Sequence, residues 1–504
     1  MPADTLAHVL REQARARRDH PLLVTDTERI SYAEAEQRSA VLAGRLLELG
    51  AGKGCHVGLL FPNGAAFVVG LLAASRIGAV VVPFPTFATA RELRNQLVHS
   101  DVRILLAAAA FRSHDYRERL TEVLGDADIG AGAPLFCAEV PQLRHVLFGP
   151  ETASGRSAPP QLADLEDGVD GGDPLAIVYT SGSTGTPKGA IHSHGALIGH
   201  QRNLNAIRGL RAEDTLFCNS PFFWIGGFAF ALLSTVLAGA TLVCSNATDP
   251  AVTLDLLEAE KPTVSNGFVA GVAGLPRHPS FADRDLSTLR RGNLYPILAP
   301  DARPADPELR HNMLGLTETG GVVLLSADDT DQPEHRRGSF GRPAPGFECR
   351  VDDGELWVRG PYLMQRYHKR SREECFDADG WFHTGDLVRT DDDGFYYYLG
   401  RRDSLIKTAG ANVSPVEVQR AIAAVTGGMA AYVFGLPDPD RGQLVAAVLV
   451  GDTPVDGAKL RESLAAELSA YKVPRRSTTV PAAQIPLLPS GKVDLRELAK
   501  VFDA

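Results

Sequence analysis

The chain has 504 residues, 44% hydrophobic and 22% charged, with a formal net charge of −10. That length exceeds one ordinary core, so two or more domains are expected. The composition is that of a soluble globular protein, and the acidic balance excludes a general nucleic-acid binder, which is basic. Six cysteines (Cys55, Cys137, Cys218, Cys244, Cys349 and Cys375) are scattered without C-x-x-C spacing. They read as free thiols of a reducing cytosol rather than a zinc or redox site. The N-terminus lacks the apolar stretch of a signal peptide, and no run of about 18 apolar residues marks a membrane span, so a cytoplasmic location is expected.

Leu6, Val9 and Leu10 fall on one face of a first helix. Ser31-Tyr32-Ala33-Glu34 is a capping-box pattern and predicts a helix to Leu49, stopped by Gly50 and Gly52. A strand at 56–60, a turn at Pro62-Asn63-Gly64, a helix at 65–77 and a strand at 79–83 follow, and 93–99 with 102–107 repeat the helix-then-strand order. Such alternation predicts a parallel α/β sheet with crossover helices. After a Gly/Ser/Pro-rich loop at 154–160, it resumes with a strand at 176–179, a helix at 193–207, a strand at 216–219, a helix at 228–237 and strands at 241–244 and 263–265. From Phe347 the texture changes to short alternating strands at 348–351, 355–358 and 395–399, which suit a small antiparallel barrel or sheet. Beyond Gly400 a segment reads as a helix at 415–425, strands at 430–435 and 445–450, and a helix at 459–470. That is a small α+β domain of about 100 residues. The expected domains are therefore 1–400, a large multi-sheet α/β domain with a small β-subdomain, and 401–504, a small C-terminal α+β domain.

The strand at 176–179 runs into Thr180-Ser181-Gly182-Ser183-Thr184-Gly185-Thr186-Pro187-Lys188-Gly189, with five hydroxyl side chains, three glycines and one lysine. Glycines let backbone N–H groups approach an anion, and the hydroxyls and the lysine add donors, as a polyphosphate-gripping loop requires. The Gly-Lys-Ser/Thr ending of a Walker loop is absent; a plain Ser/Gly/Thr surface loop is the competing reading.

The order of those ten residues resembles the signature of the adenylate-forming superfamily: acyl-CoA synthetases, luciferases and peptide-synthetase adenylation domains. The chain looks closest to the AMP-forming acyl-CoA synthetases, and five further stretches match in order along its whole length. Pro221-Phe222-Phe223-Trp224-Ile225-Gly226-Gly227 resembles the segment lining the acyl pocket, with Trp224 where many relatives have histidine; an apolar core helix start is the alternative. Leu314-Gly315-Leu316-Thr317-Glu318 resembles aromatic-Gly-x-Thr-Glu, in which the threonine contacts phosphate and the glutamate holds Mg²⁺. Leu314 stands where the family has an aromatic, so adenine stacking is weaker or comes from elsewhere. Upstream, where relatives carry a Gly-Gly/Ser-Ala-Pro strand, Arg291-Gly292-Asn293-Leu294-Tyr295-Pro296-Ile297 leads by a shorter path to Asn312, and Asn293 and Tyr295 are candidates to line the remodelled pocket.

Thr384-Gly385-Asp386 resembles the family's Thr-Gly-Asp, with Asp386 accepting from both ribose hydroxyls; a plain Gly-Asp turn is the competing reading. Gly400-Arg401-Arg402-Asp403 resembles the hinge, with Arg401 touching ribose or phosphate and Asp403 the pivot of a mobile small domain. The Ala409-Gly410 loop after it would line a thiol tunnel. Pro486-Leu487-Leu488-Pro489-Ser490-Gly491-Lys492 resembles the catalytic lysine loop.

The resemblance implies catalysis by Lys492, Lys188, Glu318 and Thr184, and an ATP site of Thr180, Ser181, Gly182, Ser183, Thr184, Gly185, Thr186, Lys188, Leu314, Gly315, Thr317, Asp386, Arg401 and Lys492. It implies a substrate pocket of Phe223, Trp224, Gly226, Asn293, Tyr295, Leu314 and Gly315, with Glu318 the metal ligand. ATP and Mg²⁺ would be bound, an acid (a carboxylate) activated as an acyl-AMP, and coenzyme A or another nucleophile would accept the acyl group. Two alternatives stand beside this: a natural-product diazotase activating nitrite for an aryl amine, and a nucleotide-binding regulator without catalysis. No nucleic-acid partner is expected, and oligomeric state is open.

Overall fold

In a computed structural model of the protein, the described residues are 5–125, 129, 133–149, 158–180, 188–408, 411–439, 441–468, 472–488 and 492–503. Their contacts divide the chain into two compact units, Met1–Glu348 with Arg359–Gly380, and Cys349–Val358 with Trp381–Ala504.

The first unit is built on two large sheets. One has the strand order Arg291–Gly292, Val264–Asn266, Thr215–Cys218, Thr241–Val243, Pro21–Val24, Arg29–Ser31, parallel except for the last pair. The other runs Arg366–Tyr367, Lys188–Ser193, Pro174–Thr180, Val80–Pro83, His56–Leu60, Ile104–Ala107, His145–Phe148. Its central strands are parallel, as the helix–strand alternation predicts. Lys188–Ser193 is antiparallel to both its neighbours. This departs from an all-parallel sheet because a connection of seven residues suits a hairpin, whereas a parallel return needs a crossover of a dozen or more.

Helix starts obey local chemistry. Ser31 Oγ accepts from Glu34 N at 3.2 Å and Glu34 accepts from Ser31 N at 2.7 Å, opening Tyr32–Glu48. A second capping box, Thr89 with Glu92, opens Ala90–Ser100 and starts that helix three residues before the expected 93. The expected helix at 228–237 is wound as a π-helix, Gly226–Leu233, before a short α-turn, Ser234–Ala238.

Tyr32–Glu48 and Ala65–Arg76 pack in one cluster with residues of both sheets, among them Leu23, Leu216 and Leu242 of the first and Val57, Leu59 and Ala176 of the second. Ala65–Arg76 is buried on nearly every side, as a helix apolar all round must be. It ends on a buried charge. Arg76 Nε donates to Glu166, its Nη2 reaches Glu36 Oε1 at 2.7 Å, and its Nη1 donates to Ser39 Oγ at 3.0 Å. Arg11 meets the other Glu166 oxygen at 3.0 Å.

The second unit contains an antiparallel sheet, Glu348–Asp352, Glu355–Arg359, Phe382–Thr390 and Tyr396–Arg401. A second sheet orders Ala411–Val413, Ile406–Thr408, Gly442–Val450 and Ala431–Asp438, with Arg476–Val480 also paired to Gly442–Val450. Helices Pro415–Val425 and Gly457–Glu467 supply Val418, Ile422, Leu460 and Leu464 to its core. The expected class, a large multi-sheet α/β body with a small β-subdomain and a small α+β domain, is what the strands and helices form.

Glu166→Ala leaves Arg76 charged and buried without its main partner. The expected loss is about 3–5 kcal/mol, the usual result of breaking a buried pair, read as a lower urea midpoint for the first unit.

Candidate active site

Thr180 is the last residue of its strand and Lys188 the first of the next, and they are register partners. Ser181, Gly182, Ser183, Thr184, Gly185 and Thr186 lie outside the described residues, so the site is built from the two ends of that segment. Gly189 faces Tyr179 across the pair, where an added Cβ would sit 3.0 Å from the Tyr179 ring and 2.6 Å from Ile177 Cγ2. The missing side chain lets Tyr179 cross the strand to His99, its hydroxyl 2.7 Å from Nδ1. His99 stands edge-on to His368, which bonds Asp101 at 3.0 Å.

Lys188 points over the ring of Tyr367 with Nζ 5.5 Å from the centroid, a cation–π contact. Tyr367 lies on Arg366–Tyr367, held against Lys188–Ser193 by Ala190 and Ile191. Its hydroxyl donates to Glu318 Oε1 at 2.6 Å. Burial and the adjoining Glu318 carboxylate raise the Tyr367 hydroxyl, which therefore stays protonated as a donor. One buried phenol thus joins the lysine of the loop to the glutamate of the Thr-Glu motif, which lie 130 positions apart by their numbers in the chain. Sequence reasoning missed Tyr367: a tyrosine beside an arginine on a two-residue strand carries no local signal.

Glu318 follows Leu314–Leu316, which pairs with Gly321–Leu325. Thr317, Glu318, Thr319 and Gly320 make the turn between them. Thr319 Oγ1 closes it on Leu316 O at 3.0 Å and Gly321 O at 2.8 Å. Two side chains pin it from outside: His192 Nε2 donates to Thr317 O at 2.8 Å, and Gln201 Nε2 to Gly320 O at 2.9 Å. The carbonyl can only accept, so His192 carries its proton on Nε2. Leu314 stands opposite Leu324, and Gly315 opposite Val322.

Phe223 is buried and Trp224 half-buried, their rings edge-on at 5.5 Å. Asn63 shapes the turn before them, donating to Ser220 O at 2.8 Å and accepting from Phe222 N at 2.7 Å. Gly226 begins the π-helix. Asn293 bonds the backbone of Gly267 with both ends of its amide, and Tyr295 packs beside the Val272, Leu275, Leu294 and Ile297 cluster.

In the second unit Asp386 is buried on Phe382–Thr390, facing Arg401 across the sheet. Arg401 Nε lies 3.5 Å from Asp386 Oδ1 and its Nη2 donates to Thr384 O at 3.1 Å. Burial, then the neighbouring Asp386, push the Tyr398 hydroxyl up to about 12, so it too is a donor toward that carboxylate. Gly385 has φ +73°, a left-handed conformation within the strand that suits glycine, and its N–H donates to Glu355 Oε1 at 2.7 Å. Arg402–Ser404, which includes Asp403, forms a single 3₁₀ turn. Lys492 is exposed, its carbonyl accepting from Leu488 N at 2.7 Å beside the Leu487–Val493 bridge. Ala409, Gly410, Pro489, Ser490 and Gly491 lie outside the described residues.

The AMP-binding enzyme family matches residues 10–368, and the AMP-binding enzyme C-terminal domain matches residues 417–492. The chain belongs to the AMP-binding enzymes. It is 30% identical to a feruloyl-CoA synthase of an Amycolatopsis species over 94% of each chain. It is 31% identical to a methyl-dioxo-octahydro-inden-yl-propanoyl:CoA ligase of Mycobacterium tuberculosis, over 95% of this chain and 96% of that one. Among solved structures it is similar to ATP-bound MatB from Rhodopseudomonas palustris, at 25% identity and a TM-score of 0.80 over 99% of each chain. In fold it resembles an anthranilate CoA ligase in complex with anthranoyl-AMP, at 22% identity and a TM-score of 0.82 over 99% of this chain and 98% of that one. Among the described residues no helix is long and apolar enough to cross a membrane.

Tyr367→Phe keeps the ring under Lys188 and removes the donor to Glu318. The expected outcome is an unchanged unfolding temperature with ATP affinity about tenfold weaker, the scale of one hydrogen bond to a charged group, measured by titration calorimetry.

Burial lowers His192, His194 and His200 to about 4. Unfolded, each protonates near its ordinary value of about 6.5, so between those values the unfolded chain binds more protons. Stability present above pH 6.5 is then lost as pH falls toward 4, by roughly 3 kcal/mol per histidine. The unfolding midpoint is expected to fall between pH 7 and 5, less steeply in His200→Leu, whose ring otherwise packs between Phe347 and Tyr362. An equal slope in that variant would remove His200 from the account.

Proposed function

We propose that the chain is an ATP-dependent, AMP-forming acid–thiol ligase acting on a carboxylic acid. A carboxylate oxygen attacks the α-phosphorus of ATP, the bond to the bridging oxygen breaks, and pyrophosphate leaves with the electron pair. The thiolate of coenzyme A then attacks the acyl carbon of the acyl-AMP, and AMP leaves. The observation that carries this reading is the Lys188–Tyr367–Glu318 cluster, in which one tyrosine contacts both a cation and a carboxylate beside the pairing of Thr180 with Lys188. The named relatives, CoA synthases and ligases, support carboxylate chemistry. The nitrite and regulator readings draw no support from them.

In this reading Lys188 and the hydroxyl and backbone donors from Thr180 to Thr186 hold the phosphates, with Thr184 among the catalytic donors. Thr317 adds a phosphate contact, and Leu314 and Gly315 border the base. Asp386, already flanked by the donors Arg401 and Tyr398, accepts the ribose hydroxyls. Lys492 offsets charge at the α-phosphate, a task suited to a flexible point charge. Positioning and charge stabilisation, rather than covalent catalysis by the protein, supply the acceleration.

Glu318 fits a magnesium ion, being a hard oxygen donor with one oxygen oriented by Tyr367, and Mg²⁺ takes one or two carboxylates and completes its shell with phosphates and water. Bound there, the ion would neutralise phosphate charge as pyrophosphate departs. Among the described residues no group of three or more His, Cys, Asp or Glu is arranged to hold a metal.

Residues 401–504 act as the mobile domain, turning about Asp403 between the two half-reactions. A hinge is a few residues at the ends of elements, and Arg402–Ser404 is one turn between two strands. The enzyme is assigned to the cytoplasm and to secondary metabolism.

Pyrophosphate release from ATP and Mg²⁺ is expected with a carboxylic acid and not with nitrite, followed by AMP release once coenzyme A is added. Lys492→Ala is expected to lower adenylation by about a hundredfold or more, as loss of a transition-state charge contact does. Release with nitrite alone would overturn the ligase reading, and unchanged adenylation in the variant would overturn the lysine assignment.

A further inference from the structure

Strand Val264–Asn266 lies between Thr215–Cys218 and Arg291–Gly292, all three parallel. Where its ladder ends, two asparagine side chains take over from the neighbouring strands. On one flank Asn293 Oδ1 accepts from Gly267 N at 3.0 Å and its Nδ2 donates to Gly267 O at 2.7 Å. On the other, Asn219 Oδ1 accepts from Phe268 N and its Nδ2 donates to Phe268 O, both at 2.8 Å. A carboxamide offers the same donor and acceptor as a peptide group. The two side chains therefore supply one more rung on each side of the strand. The clamp depends on glycine: Gly267 has φ +144°, and a Cβ there would fall 1.8 Å from Asn219 Oδ1.

What this platform carries is a phenylalanine that is 48% exposed. An exposed apolar ring needs no such fixing for stability. Its ring meets Trp224 edge-on at 5.1 Å, Trp224 meets Phe223 at 5.5 Å, and Phe223 meets Phe87 at 5.7 Å. This aromatic row is buried at Phe223 and open at Phe268. It stands at the carboxyl ends of parallel strands, where open α/β sheets take their ligands. Trp224 lies two residues before the π-helix, a form that recurs at functional sites.

We propose that Phe268, held by Asn219 and Asn293 against Trp224, is the specificity-determining wall of the acid site and selects a planar, ring-bearing carboxylic acid. This rests on the ligase reading above. A rigid aromatic wall gains offset or edge contacts from a flat ring. A straight alkyl chain gains no such geometry and loses rotamer freedom on binding. Asn293 is a positioning residue: it acts on the acid through Gly267 and Phe268.

The test compares acid-dependent pyrophosphate release for a hydroxycinnamic acid and for octanoate in wild type, Phe268→Leu, Phe268→Tyr and Asn293→Ala. Wild type is expected to prefer the aryl acid. In Phe268→Leu the aryl-to-octanoate ratio of kcat/KM falls about tenfold, the scale of a changed pocket contact, chiefly through KM for the acid. Phe268→Tyr restores the ratio, and Asn293→Ala shifts it in the same direction as Phe268→Leu while the calorimetric affinity for ATP stays put. Wild type that uses octanoate as well as the aryl acid, or a Phe268→Leu ratio equal to wild type, overturns the proposal while leaving the ligase intact. Silence of wild type with every acid overturns the ligase reading and the proposal together.

Discussion

The pairing of Thr180 with Lys188 is the constraint on which the rest of the site depends. Neighbouring strands lie about 5 Å apart, so Thr180 and Lys188 face each other across the ladder. Lys188–Ser193 then does three things through its own register. It places Gly189 beneath Tyr179, receives the strand carrying Tyr367, and directs the buried His192 at the carbonyl of Thr317. A one-residue slip would turn each of these side chains to the opposite face, and the lysine and the glutamate would no longer share a tyrosine.

Glu318 is held by a different means. It sits in a turn, where backbone polar groups ordinarily look to water. Here neutral His192 and Gln201, both buried, satisfy two of the turn's carbonyls from the side. Buried polar groups of this kind are costly unless paired and rigid once paired. The same logic recurs near Trp224 and Phe268, where Asn63, Asn219 and Asn293 each engage a backbone segment through both ends of an amide. The candidate site is therefore framed by neutral side chains acting as backbone.

Much of this was legible in the chain. The alternation of helix and strand predicted the parallel centre of the large sheet, the Ser31 capping box marked a helix start, and the texture change at Phe347 marked the short strands. What escaped notice has physical reasons. The antiparallel edge at Lys188–Ser193 follows from a short connection rather than from apolar periodicity. Gly226–Leu233 has the composition of a helix, and its wider winding leaves no compositional mark. Asn293 drew attention as a polar residue in an unusual stretch, whereas Asn219 read as the end of a strand and Asn63 as part of a turn.

By itself the sequence determined the chemistry on offer: a hydroxyl- and glycine-rich segment ending in Lys188, a Thr317-Glu318 pair, a Gly385-Asp386 pair and Lys492, in an order that identifies the family. These are local matters of residue type and spacing, which a linear chain carries in full. Only the tertiary structure decided which of them meet. Tyr367 joins Lys188 to Glu318, His99 anchors Tyr179, and Asn219 with Asn293 fixes Phe268. Each contact links residues far apart in the chain, and strand register and packing, rather than local composition, bring them together.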